Sequence, residues 1–348
     1  MAKIDVTSPE NTYAIHISDG LLKEVTQRPS EFQIHHPIVV SNTTVAPLHA
    51  QAFADKLNAP LIILPDGEQY KTLEIVAGLY GDLLSAKADR KTTLIAFGGG
   101  VIGDSVGFAA ASYMRGIDLV QIPTSLLSMV DSSVGGKVGV DLPQGKNLVG
   151  AFKQPKAVLI DTSVLSTLPD SEWANGMAEI IKHGLIADPA LLDTHLHTRN
   201  HATELVRRAV QVKVDVVQID PYEHAQRAYL NLGHTFAHAV EQVTGYQWAH
   251  GQAVGFGLLA AVHLSHDLGH CDLDLVGQVE HILKHTGLPT HITSDIQPQA
   301  LWEAMHTDKK WESGHNRFVL LHEVGQPFIM ENVSHEAVIN VLERLRVE

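Results

Sequence analysis

The chain has 348 residues, 45% hydrophobic and 18% charged, which is enough for two cores and excludes a disordered or fibrous protein. Asp and Glu outnumber Lys and Arg 39 to 25, and the formal charge of -14 excludes a general nucleic-acid binder, since a phosphate backbone needs a basic footprint. The single cysteine, Cys271, has no intrachain partner, the opening residues lack a leader pattern, and no apolar run reaches the length of a membrane span; the expectation is a cytoplasmic protein that contacts small molecules, not nucleic acid or membrane.

In chain order, the first half alternates β-branched runs with helical stretches, the pattern of a parallel sheet with helices packed on it. Strands are predicted at PIVVSN from Pro37, LIILP from Leu61, TTLIAFGG from Thr92, DLVQIPT from Asp118 and AVLID from Ala157, and a helix over Leu73–Ala88. DGEQYK, comprising Asp66, Gly67, Glu68, Gln69, Tyr70 and Lys71, ends one strand, where open parallel sheets bind ligands. There Glu68 could accept ribose hydroxyls and Lys71 could meet a phosphate or ribose; a solvated polar turn is the alternative.

FGGGVIGD, from Phe97 to Asp104, follows an apolar strand and opens a small-residue helix, and Gly98, Gly100 and Gly103 satisfy GxGxxG. Glycines there let backbone amides approach a pyrophosphate, and the helix N-terminus adds partial positive charge. A dinucleotide is the natural ligand, although a tight strand-to-helix turn would use the same glycines, and no acidic residue closes a strand about 20 residues on as in an ordinary Rossmann unit. Pro123 to Lys156 then gathers glycines with Lys137, Lys146, Asn147 and Lys153. Such a loop can fold round a phosphate, and it can equally be an exposed hairpin with solvated lysines.

Beyond about Leu165, apolar residues at three- and four-residue spacing from Ser171, Asp188, Asn231, Gln252 and Leu273 predict helices, and the run from Gly251 reads as a buried helix. The division is placed at the SVLSTLPD turn, giving an α/β Rossmann-like domain over 1–165 and an all-α domain over 166–348. In GMAEIIKHG, Glu179 and Lys182 share a helical face. In NLGHTFAHAVE, His234 and His238 are four apart, and WAHGQAV adds His250. Two imidazoles and a carboxylate form a three-ligand catalytic zinc set that leaves positions open for substrate oxygens. With 22 histidines, chance pairs such as His266 with His270 and His281 with His285 also arise and read as structural or surface residues. Gly233 and Gly251 abut His234 and His250, which signals close backbone approach.

Taken together, GGGVIGD, YMRG, IPTSLLSMVDSSVGGK, GKNLVGAF, GMAEIIKHG, NLGHTFAHA and HGQAVGFG resemble the 3-dehydroquinate synthases in order and spacing, from about Asp66 to Leu320. The resemblance implies NAD and one divalent metal, Zn2+ or Co2+, in a cleft between the two domains, a homodimer, and a sugar-acid phosphate substrate. It implies metal ligation by Glu179, His234 and His250. NAD contacts would come from Asp66 to Lys71, Gly99, Gly100, Val101, Ile102, Gly103, Asp104, Thr124, Ser125, Asp131, Lys137, Lys146 and Val164, Leu165, Ser166 and Thr167, with Asn42 at the adenosine end. Lys137, Asn147, His238 and one of Lys309 or Lys310 would handle the phosphate, and Arg115 would reach the neighbouring subunit's site. Lys182, Lys213, Asn231 and Arg227 would make the remaining substrate contacts, Arg227 to the carboxylate through its planar fork. His238 and Lys182 are the candidates for proton handling.

One departure is Thr124–Ser125, where the family usually has two threonines; the hydroxyl is kept. The implied reaction converts 3-deoxy-D-arabino-heptulosonate 7-phosphate to 3-dehydroquinate by transient oxidation, phosphate elimination, reduction and intramolecular aldol closure, within the shikimate pathway. Another sugar-phosphate cyclase, or a metal- and NAD-dependent alcohol dehydrogenase of the glycerol dehydrogenase type, would use the same cofactors. A carboxylate-binding Arg227 and phosphate-binding Lys137 and Asn147 favour the phosphorylated acid.

Overall fold

The computed structural model describes residues 1–222, 226–306 and 316–347. They form two compact units: 1–169 with 202–214, and 170–201 with 215–347.

The first unit contains, in order, β1 (Ala2–Thr7), β2 (Thr12–Ser18), α1 (Leu21–Gln27), β3 (Pro37–Asn42), α2 (Gln51–Leu57), β4 (Leu61–Leu64), α3 (Leu73–Ser85), β5 (Thr93–Gly98), α4 (Gly100–Ser112), β6 (Asp118–Pro123), β7 (Lys137–Leu142), β8 (Gly145–Phe152) and β9 (Ala157–Asp161). Seven strands make one sheet in the order β1-β2-β9-β6-β5-β3-β4. Every pairing is parallel except the hairpin of β1 with β2. β5 and β9 are buried at every position, as expected of parallel strands covered on both faces. Because successive side chains point to opposite faces, Ile38, Val40, Leu94 and Ala96 pack with α3 and α4, while Val39, Ile95 and Phe97 pack with α1 and α2. The chain moves outward from β3 to β4, then back past β3 to β5, so the order reverses between β3 and β5. Ligands of open α/β sheets bind beyond the carboxyl ends of strands at such a reversal, here Asn42 and Gly98.

The second unit holds α5 (Asp170–Ile186), the end of α6 (Ala202–Ile219), α7 (His234–Val243), α8 (His250–Asp267), α9 (Leu273–His285), α10 (Pro298–His306), the antiparallel hairpin β10 (Arg317–Leu321) with β11 (Pro327–Glu331), and α11 (His335–Arg344). The stretch from Asp188, expected to be helical, is three short 3-10 turns before α6. Pro189 breaks the helix, and the Asp188 and Asp193 carboxylates accept from the amides of Ala190 and His195, closing local turns in its place. α8 is buried along nearly its whole length, as its apolar run requires, and packs against α7, α5 and α9. No described helix is long and apolar enough to cross a membrane.

Candidate active site

In the first unit, the turn after β5 places Gly99 at the N-cap of α4, where no side chain caps the helix, and the first amides of a helix have no partner within it. A Cβ at Gly98 would lie 2.8 Å from Ile102, and one at Gly100 would lie 3.3 Å from Ser132 Oγ, so glycine keeps this approach open. Ile102 is buried in the core, while Val101 and Gly103 continue the first turn of α4. At the end of β3, Asn42 is 6% exposed and donates to Asp66 Oδ1 at 2.6 Å, tying together two predicted dinucleotide residues. Thr124 follows β6 with its amide on Gly98 O at 3.0 Å, and Ser125 Oγ bonds Ser128 Oγ at 2.9 Å.

Lys71, 4% exposed, sits at the centre of a polar network. Its ammonium meets Asp104 Oδ2 at 2.6 Å and donates to Asn147 Oδ1 at 2.6 Å, with Glu68 at 4.0 Å. Burial opposes the charge, but Asp104 and Glu68 outweigh it and raise the Lys71 pKa; burial likewise raises Asp104 despite Lys71. Lys146 Nζ also reaches Glu68 at 4.0 Å. Asn147 thus faces Lys71, and it is held there in left-handed backbone (φ 54) by its backbone N–H, which donates to Asp141 Oδ1 at 2.7 Å. Asp141 itself, whose amide donates to Lys71 O at 2.8 Å, is absent from the motif reading. Lys213 donates to both the carbonyl and the carboxylate of Asp131 at 2.6 Å. Lys137 opens β7 and is exposed, as is Arg115, which has φ 69 after α4. Val164 and Leu165 are buried after β9, whereas Ser166 and Thr167 are exposed, Thr167 Oγ1 bonding His49 Nε2 at 2.7 Å.

In the second unit, α5, α7 and α8 bring three predicted ligands together. The ligand atoms of Glu179, His234 and His250 all lie within 4.8 Å of one another. Glu179 is fully buried; its Oε2 accepts from Lys182 Nζ, and its Oε1 has no hydrogen bond yet lies 3.6 Å from both His234 Nε2 and His250 Nε2. Ligand atoms of a tetrahedral zinc at about 2.0–2.1 Å stand roughly 3.3 Å apart, so these separations fit a divalent cation. A buried carboxylate oxygen left without a donor is costly unless something cationic faces it. Burial would raise Glu179, but Lys182, His250 and His234 hold its carboxyl well below the usual range. Burial would likewise lower His250, and the flanking carboxylates of Glu179 and Glu241 overcome this, pushing it up to about 10.

Glycine makes this assembly possible. A Cβ on Gly251 would lie 2.2 Å from Asn175 O, in the backbone of α5 one turn before Glu179, and a Cβ on Gly257 would lie 2.1 Å from Gly233 O. Gly233 has φ 78, and the space beside it is filled by the α8 backbone at Gly257 and Leu258. His238 follows His234 by one turn, ring centroids 5.7 Å apart. Arg227, 4% exposed, has its amide on Asp220 Oδ2 at 3.1 Å and a guanidinium nitrogen donating to Pro221 O; Asn231 ends the same 3-10 turn. Lys309 and Lys310 lie outside the described residues. Glu241, buried beside His250, was not among the sequence candidates, although it stands seven residues after His234 and so on the same helical face.

Comparison with known proteins identifies the family. The family profile described as 3-dehydroquinate synthase N-terminal matches residues 61–175, and that described as 3-dehydroquinate synthase C-terminal matches 176–311. A 3-dehydroquinate synthase of Teredinibacter turnerae is 45% identical over 94% of this chain and 95% of its own. A 2-deoxy-scyllo-inosose synthase solved with carbaglucose-6-phosphate, NAD+ and Co2+ superposes with TM-score 0.89 at 25% identity, over 99% of this chain and 100% of the other. The 2-epi-5-epi-valiolone synthase of Streptomyces hygroscopicus, solved with NAD+ and Zn2+, gives 0.88 at 26%, over 97% and 98%. The chain belongs to the 3-dehydroquinate synthase family.

Proposed function

We propose that this enzyme converts 3-deoxy-D-arabino-heptulosonate 7-phosphate to 3-dehydroquinate and inorganic phosphate, as a phosphate-eliminating carbon–oxygen lyase of the shikimate pathway. Beyond family membership, the reading is carried by Glu179 Oε1, a buried carboxylate oxygen without a hydrogen bond, 3.6 Å from two imidazole nitrogens. We assign a Zn2+ or Co2+ ion to Glu179, His234 and His250, within the helical domain (166–348), and NAD to the α/β domain (1–165). Relatives solved with NAD+ and either Co2+ or Zn2+ support the cofactors. When bound, the dinucleotide supplies a reversible hydride acceptor and the cation a Lewis acid for a substrate hydroxyl.

The protein's own groups bind, orient and move protons. Lys182 keeps Glu179 ionised and turns its second oxygen toward the imidazoles. His238, one turn beyond His234, is the group assigned to proton transfer, with Lys182 as its partner. Lys137 and Asn147 bind the phosphate together with a lysine at 309 or 310, and Arg227 binds the carboxylate through its fork. Lys213 and Asn231 take hydroxyls, Asn42 and the Asp66–Lys71 turn hold the adenosine end, and the glycine turn takes the pyrophosphate. Arg115 serves the neighbouring subunit of a homodimer in the cytoplasm.

Phosphate release is measured from the heptulosonate phosphate with NAD and metal, following NADH in the same cuvette. Stoichiometric phosphate without net NADH supports the assignment. Accumulating NADH would indicate a dehydrogenase, and turnover of a sugar phosphate lacking the carboxylate instead would indicate another cyclase.

A further inference from the structure

Glu241 is on α7 and 4% exposed, and a carboxylate so placed needs a partner to repay its lost hydration. Its Oε1 lies 3.3 Å from His250 Nδ1, while the other ring nitrogen, Nε2, faces Glu179 Oε1 at 3.6 Å. The two nitrogens of one imidazole are therefore divided between two carboxylates of opposite duty. A histidine that gives one nitrogen to a metal must keep its proton on the other, and whatever accepts that proton's hydrogen bond fixes both tautomer and ring plane. His234 is treated in parallel: its Nδ1 bonds Leu232 O at 3.1 Å, and its Nε2 faces the same Glu179 oxygen.

We infer that Glu241 is a positioning residue of the metal centre, accepting the Nδ1–H of His250 so that the Nε2 lone pair points at the cation. Glu241 also brings a second carboxylate charge beside the divalent ion, which a carbonyl in its place would not. Its backbone belongs to the helix that carries His234, so α7 both ligates with one residue and orients the ligand of α8 with another. This inference rests on the assignment of Glu179, His234 and His250 as ligands.

The test measures Co2+ affinity of the full-length protein by chelator competition, together with the visible absorption of the bound Co2+, for wild type, Glu241→Ala, Glu241→Gln and His250→Ala. Glu241→Ala is expected to lose about 10–100-fold in affinity with an altered spectrum. Glu241→Gln, which keeps an accepting oxygen and loses the charge, should recover the wild-type spectrum and part of the affinity. If both variants bind within about twofold of wild type while His250→Ala does not, Glu241 is merely structural. If His250→Ala also binds like wild type, the ligand assignment itself is wrong. Should Glu241→Ala fail to fold, Glu241→Gln decides alone: a loss of about threefold or more supports the inference, and an unchanged affinity overturns it.

Discussion

Replacing Gly251 with alanine should dismantle the proposed metal centre without touching a proposed ligand. The added Cβ would lie 2.2 Å from Asn175 O and 2.4 Å from Asn175 Cα, and both are main-chain atoms of α5, so no side-chain rotation relieves the clash. A carbon–oxygen contact needs about 3.3 Å, so the α8 start must retreat from α5 by roughly 1 Å. Asn175 lies one turn before Glu179, and Gly251 directly follows His250, so that retreat falls on the separation between two of the proposed ligands. Metal sites hold their ligand distances to about 0.2 Å, several times less than the displacement. Overpacking costs about 1–3 kcal/mol of stability, a fall in Tm of a few degrees for a domain this size. Chelator competition and thermal unfolding of the metal-free protein should show at least a tenfold loss of metal affinity, about 1.4 kcal/mol, and a lower Tm. Gly277→Ala in α9, where nothing lies within 4 Å of an added Cβ, is the control and should stabilise by about 0.5–1 kcal/mol. A Gly251→Ala protein with wild-type metal affinity and Tm would refute the packing argument.

Lys71→Met should destabilise the first unit by about 1–3 kcal/mol, because it leaves the half-buried Asp104 without its cation, and Asp104→Asn in the same chain should recover much of that loss. Urea unfolding of the single and double variants measures this, and strictly additive effects would exclude the coupling. His197 is 8% exposed and its pKa is lowered, burial being the larger cause and the His285 charge another, against the opposing bond to Leu191 O. Since its folded pKa lies below the unfolded value of 6.5, the unfolded chain binds the proton more readily. The stability it contributes is therefore complete above that pH and lost as pH falls through the folded pKa, with a slope of at most about 1.4 kcal/mol per pH unit. His197→Asn should flatten the fall in stability between about pH 7.5 and 5.5; an unchanged slope would show that this ring does not titrate as argued.

Five of the six parallel strands were legible, because burial on both faces favours continuous apolar runs such as those of β5 and β9, whereas β2, TYAIHIS, buries alternate residues only, carries His16 between two of them and was not read as a strand. The β7–β8 hairpin was harder to read. Gly139 faces Gly150 across it, and a Cβ at either would lie within 2.7 Å of the opposite backbone, so close pairing has removed the side chains whose alternation would announce a strand. Nothing in composition marks Ala202–Val214 as belonging to the first unit, because the excursion is the first part of one continuous helix and needs no linker. Among the histidines, spacing alone ranked His266 and His270 equal to the ligand candidates. The structure separates them by their partners: His266 Nδ1 bonds Cys271 O at 3.0 Å, and the His270 ring packs on His322 and Phe328.

Charge was the least legible property, and the reason is physical. A chain of formal charge -14 nevertheless buries Lys71, Lys182 and Lys213 at 4%, 1% and 6% exposure. Each meets a carboxylate, Asp104, Glu179 and Asp131 respectively. A buried ammonium needs a carboxylate to offset its lost hydration, and the pairing fixes its direction. Each pair is close to neutral, so the lysines contribute oriented donors more than net positive potential. Long-range attraction of an anion by the first unit would therefore come from groups not paired in this way, such as the exposed Lys137, the residue proposed to meet the phosphate, and the α4 N-terminus. If Lys137 captures the phosphate as proposed, raising the ionic strength should raise the substrate KM measured by phosphate release far more than it weakens the three buried-lysine pairs, which salt screens much less.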